Sequence, residues 1–213
     1  MDHDAIAALA ASHHLAIMGG FHPAAGEGPQ GAGTVLLLGP AEPGFWPHVT
    51  AEPEFLDGAP DPLDRWSLRV IGALAGALDA QAAFPFGGPP FHPFFRWAIA
   101  SGRAFPSPVQ LLVHDAAGLF VSYRGALILR QRIALPDPPA SSPCETCPRP
   151  CIAACPVGAL TGQGYDLDRC HDWLSGPNDC MTRGCAVRRA CPLSQRHGRL
   201  EVQSAHHMSY FHR

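Results

Sequence analysis

An α+β chain of two domains is what this sequence predicts, and three observations predict it. Apolar positions in the first 135 residues follow both the helical and the strand period, with a prominent hairpin among them. All periodicity stops at Pro136–Pro143, Pro-Asp-Pro-Pro-Ala-Ser-Ser-Pro, a proline-stiffened linker. Beyond it, eight cysteines fall between residues 144 and 191. The expected domains are therefore 1–135, the linker 136–143, a cysteine-rich domain at 144–195, and an Arg/His-rich tail at 196–213.

Asp4–His14, with Ile6, Leu9 and Ala10 at helical spacing, predicts a short surface helix capped by Asp2 or Asp4. Leu15–Met18 predicts a strand ending at Gly19-Gly20, and residues 22–33 a glycine-rich loop. Gly31-Ala32-Gly33 precedes the strand Thr34–Leu38 and lacks a third glycine, so it reads as a turn and not as a dinucleotide-binding loop. The strongest helix signal starts at Asp61-Pro62, where aspartate suits the cap and proline the first turn. Leu63, Trp66, Val70, Leu74 and Leu78 carry its apolar stripe to about Ala80. Phe84–Pro93 is an aromatic, proline-rich loop leading into a helix from Phe94 to Ser101. Val109–Val113, a turn at Asp115–Gly118, Leu119–Tyr123 and Ala126–Leu129 predict a β-hairpin whose second strand bends at Arg124-Gly125.

The cysteines carry the chemistry. The N-terminus is acidic where a secretion signal would be basic, and no apolar run approaches the ~18 residues of a membrane span. The expectation is a cytoplasmic, reducing location with no membrane partner, where clustered thiols are metal ligands more often than disulfides. Cys144-x2-Cys147-x3-Cys151-x3-Cys155-Pro156 is one residue longer than the run that holds [4Fe–4S] clusters in bacterial ferredoxins. In that run the fourth cysteine reaches the other cluster, and Cys191-Pro192 supplies the return. The expected ligand sets are Cys144, Cys147, Cys151 and Cys191 around one cluster, and Cys155, Cys170, Cys180 and Cys185 around the other. Structural zinc is the competing reading, although its sites usually pair two CxxC hooks and this chain has one.

All 15 basic residues are arginine. Having no lysine excludes a Walker phosphate loop, a Schiff-base lysine and a kinase-type lysine. Six of those arginines, at 183, 188, 189, 196, 199 and 213, face one acid, Glu201, in the last 34 residues. They suit the net negative charge of clusters held by thiolates, and a second use, gripping RNA phosphate, is the weaker reading. His206, His207 and His212 near the terminus read as solvent-exposed.

The order of all eight cysteines, with Cys155-Pro156-Val157-Gly158-Ala159-Leu160, resembles the iron–sulfur domain of the epoxyqueuosine reductase family. His114–Phe120 and Gly125–Leu129 are similar to that family's hairpin. Phe120–Pro139 also resembles the cobalamin-processing (CblC-type) proteins. The resemblance implies an N-terminal mixed α/β sandwich of the cobalamin-processing, nitroreductase-like kind followed by a small ferredoxin-like domain. It further implies two [4Fe–4S] clusters, a corrinoid ligand contacted by His114 and Arg124, and an external flavodoxin- or ferredoxin-like electron donor. Where the reductase family carries an acid ahead of its pocket helix, this chain has Phe86-Gly87-Gly88-Pro89-Pro90, so epoxide reduction itself is not expected. The alternative function is a non-enzymatic electron carrier whose N-terminal domain binds a protein partner.

Overall fold

The computed structural model describes residues 2–24 and 28–213. Helices take 37% of the chain and strands 16%, the mixed α/β class expected. Residues 25–27 of the expected glycine-rich loop lie outside the described residues. The chain forms two compact units: one runs to Arg103 and resumes at Ser122–Pro138, and the other combines Ala104–Val121 with Pro139–Arg213.

The first unit is built on a four-stranded antiparallel sheet in the order β1-β2-β6-β3. Helix α1 (His3–Ala11) is capped by Asp2, whose side chain accepts from the Ala5 N–H. Strand β1 (Leu15–Phe21) does not end at the glycine pair; it continues through a bulge between Ile17 and Gly20. At Gly19, with φ 139°, a Cβ would stand 2.6 Å from the Ser101 hydroxyl, so only glycine fits. The central strands are β2 (Thr34–Pro40) and β6 (Gly125–Leu129), buried along their whole lengths, with β3 (Gln81–Ala83) on the far edge. Their unbroken apolar runs are what two covered faces require.

Helix α4 (Pro62–Ala77) buries Leu63, Trp66, Val70 and Leu74 as the stripe foretells. Asp61 is not its side-chain cap: it is left-handed, at φ 51°, and makes no capping hydrogen bond. Arg65 instead folds back over residues 54–60, bonding Asp57, Pro60 O and Glu54 O. Two short helices that the periodicity does not resolve, α2 (Phe45–Thr50) and α3 (Pro53–Leu56), precede it. The Phe45 ring meets Trp66 edge to face at 5.5 Å. Helix α5 (Phe94–Ala100) follows the aromatic loop.

The hairpin is not the expected one. In the second unit, β5 (Leu112–His114) pairs with β4 (Ala104–Pro106), and Leu119–Tyr123 forms no strand. Gly125–Leu129 pairs instead with β2 and β3 in the first unit's sheet, because Gly125 and Ala126 allow close approach: a Cβ on Gly125 would meet Ile71 at 2.8 Å. Residues 104–121 accordingly belong with the cysteines and not with the first 103 residues. Arg188 Nη1 donates to Leu119 O at 2.7 Å, Arg199 Nη1 to Phe120 O at 3.2 Å, and Gln110 Nε2 to Gly162 O. The chain changes unit between Pro138 and Pro139, inside the proline-rich stretch.

The rest of the second unit consists of short pieces. A 3-10 turn covers Pro150–Ala153, and β7 (Leu160–Thr161) pairs with β8 (Gly164–Tyr165). Helices α6 (Leu167–Leu174), α7 (Cys180–Arg183), α8 (Ala186–Arg189) and α9 (Pro192–Arg196) follow. The expected tail is a helix, α10 (Glu201–Phe211), with Gln203 and Ser204 buried. Gly184 permits its approach, since a Cβ there would lie 2.6 Å from Ser204 Cβ.

Candidate functional site

All eight cysteines are free thiols in the second unit. Cys151 and Cys191 sit in its small core with Val109, Val113, Leu119, Leu160 and Val187, and Cys144, Cys155 and Cys185 pack against it. Three cysteines stand at element starts: Cys180 opens α7, while Cys185 and Cys191 precede α8 and α9. Pro192 at the first helical position fixes the last of these.

The extra residue between Cys147 and Cys151 has a definite shape. Arg149, between two prolines, is left-handed at φ 56°. Its N–H thereby donates to Cys147 Sγ at 3.3 Å and its Nε to Cys144 O at 3.2 Å. On the other side of the run, Ala159 N–H donates to Cys155 Sγ at 3.2 Å.

The electrostatics sort the thiols. Burial raises the Cys151 thiol, followed by the fields of Cys144, Cys191 and Cys147. Burial also raises Cys144, with Cys147 and Cys191 adding to it. Cys170 is raised by burial, against a hydrogen bond from Tyr165, and then by Cys185 and Cys155. Cys180 is raised by burial and by Cys185 and Asp179. The thiol fields on Cys144 and Cys151 thus come from within 144, 147, 151 and 191, and those on Cys170 and Cys180 from Cys155 and Cys185. Deprotonated, thiols this close would repel one another, and a cationic metal core is what would relieve them. Among the described residues, no three His, Cys, Asp or Glu side chains are gathered as a single metal ion would need.

Gly118 closes the turn after β5 at φ 58°, where a Cβ would lie 2.5 Å from Ser194 N and 2.9 Å from Cys191 Sγ. The hairpin turn therefore touches one of the thiols directly. The sequence contains the glycine but no sign of that contact. Nor does it single out Tyr165, whose hydroxyl donates to Cys170 Sγ at 3.4 Å; burial together with that bond holds its own pKa above the usual phenol value.

His114 and Arg124 have structural partners. His114 is 1% exposed, and its Nδ1 accepts the N–H groups of Ala116 and Ala117, pinning the turn. Arg124 is buried; its Nε donates to Ser67 Oγ at 3.1 Å, its Nη2 pairs with Asp64, and its head lies over Phe86. Burial lowers its pKa while Asp64 opposes the shift. Each head is thus engaged within its own unit. The terminal histidines are not free either: His212 Nδ1 lies 2.7 Å from His171 Nδ1, and the His206 ring packs tilted against Tyr210, centroids 4.9 Å apart.

The arginines of the last 34 residues mostly tie chain to chain. Arg183 pairs with Glu201, Arg189 with Asp179 and Gly184 O, and Arg199 with Ser204.

In the first unit a cavity of about 900 Å³ lies beside Phe21, His22, Trp97 and Leu135, with Arg96 and Arg132 on its wall. The buried Trp97 indole N–H finds no hydrogen-bond partner. No helix is long and apolar enough to cross a membrane. No known family, curated protein or solved structure matches the chain.

Proposed function

We propose that the second unit holds two [4Fe–4S] clusters and that the protein passes electrons to a corrinoid-type cofactor or another flat acceptor at the first unit. The observation that supports this is that eight free thiols fall in one unit, five of them in or against its small core, in the order of a two-cluster cysteine run. The residues that would hold the clusters are Cys144, Cys147, Cys151 and Cys191 in one site and Cys155, Cys170, Cys180 and Cys185 in the other. Bound there, such a group supplies reversible one-electron transfer at a potential set by charge, hydrogen bonds to sulfur and exposure. The chain's own part is to keep the thiols in place: Arg149 shapes the first loop, Gly118 leaves room for Cys191, and Pro192 fixes the direction of α9. The architecture that goes with this reading is a ferredoxin-like second unit joined to a cobalamin-processing-like first one, as in the epoxyqueuosine reductase core the cysteine order resembles.

For the acceptor half, support comes from the cavity beside Trp97, where Phe21, Trp97 and Leu135 offer apolar surface and Arg96, Arg132 and Asp137 polar contacts. A second reading, an electron carrier whose first unit binds a protein partner, is favoured by the exposed Phe91, Phe95 and Ile99 at and before α5.

Iron and acid-labile sulfide analysis of anaerobically reconstituted protein tests the first claim. The expected result is about eight of each per chain, with broad visible absorption that bleaches with dithionite. Colourless protein with stoichiometric zinc would overturn it. Titration with cob(II)alamin tests the acceptor: a base-off spectrum supports the corrinoid, and no change at saturation leaves the carrier reading.

A further inference from the structure

We propose that the cavity beside Trp97 selects an acidic ligand, a flat ring system carrying carboxylates, over one whose side groups are neutral amides. The inference deepens the reading of that cavity as the acceptor's place and rests on it.

The arginines of the first unit divide by what they bind. Arg65 pairs with Asp57, Arg69 with Glu52 and Glu54, and Arg124 with Asp64. The side chains of Arg96 and Arg132 make no hydrogen bond or ion pair with any described residue, and both stand exposed on the cavity wall. Asp137, the one acid among the described residues of that wall, pairs with neither. Each arginine rises from a fixed support. Pro93, Arg96, Trp97 and Ala100 line the cavity at the spacing of one helical face of α5, and the buried Trp97 ring packs on Phe94 at 5.1 Å and Phe21 at 6.4 Å. Arg132 sits in a clamped stretch. The buried Thr34 donates through Oγ1 to Gln131 O at 2.9 Å and accepts the Ile133 N–H at 3.1 Å, while His22 Nε2 donates to Ile133 O at 2.9 Å.

A guanidinium only donates, in a planar fork that matches a carboxylate, and its bonds to an ionised acceptor are about twice as strong as those between neutral groups. A ligand whose side groups are amides leaves much of that capacity to water. Asp137 offsets part of the charge, and two arginines to one aspartate leave the wall positive. The chain as a whole carries a net charge of −3, so an acidic ligand is drawn by this wall and not by the field of the whole protein. At about 900 Å³ the cavity has the room for a ring system larger than a single aromatic group.

Dicyanocobyrinic acid and dicyanocobinamide share the corrin ring, the cobalt and both axial ligands, and the first has carboxylates where the second has amides. In equilibrium dialysis against the full reconstituted chain, the acid should bind more tightly by about 10-fold or more. Arg96→Gln and Arg132→Gln should each weaken the acid by about 5- to 10-fold and leave the amide nearly unchanged. Neither substitution removes a bond to a described residue, so the melting temperature should stay that of the parent. Asp137→Asn should tighten the acid. Arg130→Gln removes an arginine that is equally exposed and unpartnered among the described residues but stands off the wall, and it should change neither affinity. Equal binding of the two corrinoids, or a preference for the acid that survives both wall variants or falls as far with Arg130→Gln, overturns the inference and leaves the cavity as the acceptor's place. If neither corrinoid binds at saturation, the corrinoid reading falls with it.

Discussion

In the first unit β2 and β6 lie side by side with every residue buried, and Trp66, Phe45, Ile71 and Leu127 are sealed around them. In the second unit the described strands have two or three residues, four of the five helices have eight or fewer, and the buried apolar residues include three cysteines, Cys151, Cys180 and Cys191. Ile152, Leu167, Trp173 and Val202 remain exposed there. The first unit draws its cohesion from apolar burial. The second has too little of it, and what stands in its core is a set of potential ligands. Cohesion in such a unit is expected to come from what the thiols hold, as in other small domains short of core.

If the thiols hold the proposed clusters, removing them is the strongest way to break this comparison. Chelation of reconstituted protein should raise protease cleavage within residues 139–213 by about 100-fold or more, while fragments from the sheet stay protected. Equal sensitivity of both units would remove the distinction. Leu127→Ala applies the opposite stress. Leu127 is fully buried on the central strand β6, and its truncation should cost about 2–5 kcal/mol, read as a lower melting temperature with iron content unchanged.

A matched pair of glycines sharpens the contrast. Alanine at Gly118 meets a left-handed φ, a backbone nitrogen and a cysteine sulfur. It should cost about 1–3 kcal/mol and also perturb the EPR signal of the site that includes Cys191. Alanine at Gly125 meets the flexible end of Ile71 first and the Ala83 carbonyl at 3.1 Å. Stability should fall by about 1–3 kcal/mol there too, with the spectrum untouched. Loss of signal in both, or in neither, would dissolve the difference between the units.

What the sequence discloses follows the same division. The first unit's α4, α5 and β2 are legible because periodic burial leaves a periodic trace, as Leu63, Trp66, Val70 and Leu74 show. The hairpin is misread because strand pairing is non-local: nothing within Gly125–Leu129 says that its partners are Thr34–Leu38 and Gln81–Ala83. The cysteine spacing makes the candidate site visible, since ligand spacing is a local property. It carries no sign of the groups that reach the sulfurs from elsewhere, Tyr165 through a hydroxyl and Gly118 by having no side chain. His114 and Arg124 stand out in the sequence by residue type alone, and in the structure a turn and the carboxylate of Asp64 already occupy them. The tail reads as a solvated end because α10 alternates polar and apolar residues without a clean stripe, yet Gln203 and Ser204 are buried in it.

The smallest effect expected is one of pH on the second unit. His197 is part-buried; burial, then Arg199 and His114, push its pKa down to about 4. In the unfolded chain a histidine protonates near ~6.5, so as pH falls from there toward 4 the unfolded state takes up a proton that the folded state refuses. Stability is therefore complete above that window and is lost on acidification through it. The ring keeps some contact with solvent, which screens the field of Arg199, so the loss should be about 1–2 kcal/mol and not the full linkage value. Hydrogen exchange of residues 192–211 at pH 7 and pH 5, with iron content matched, should show extra opening at the lower pH. His197→Gln should flatten that dependence, while exchange across β2 and β6 stays the same. If the glutamine variant keeps the parent's pH dependence, another group of the second unit carries the titration.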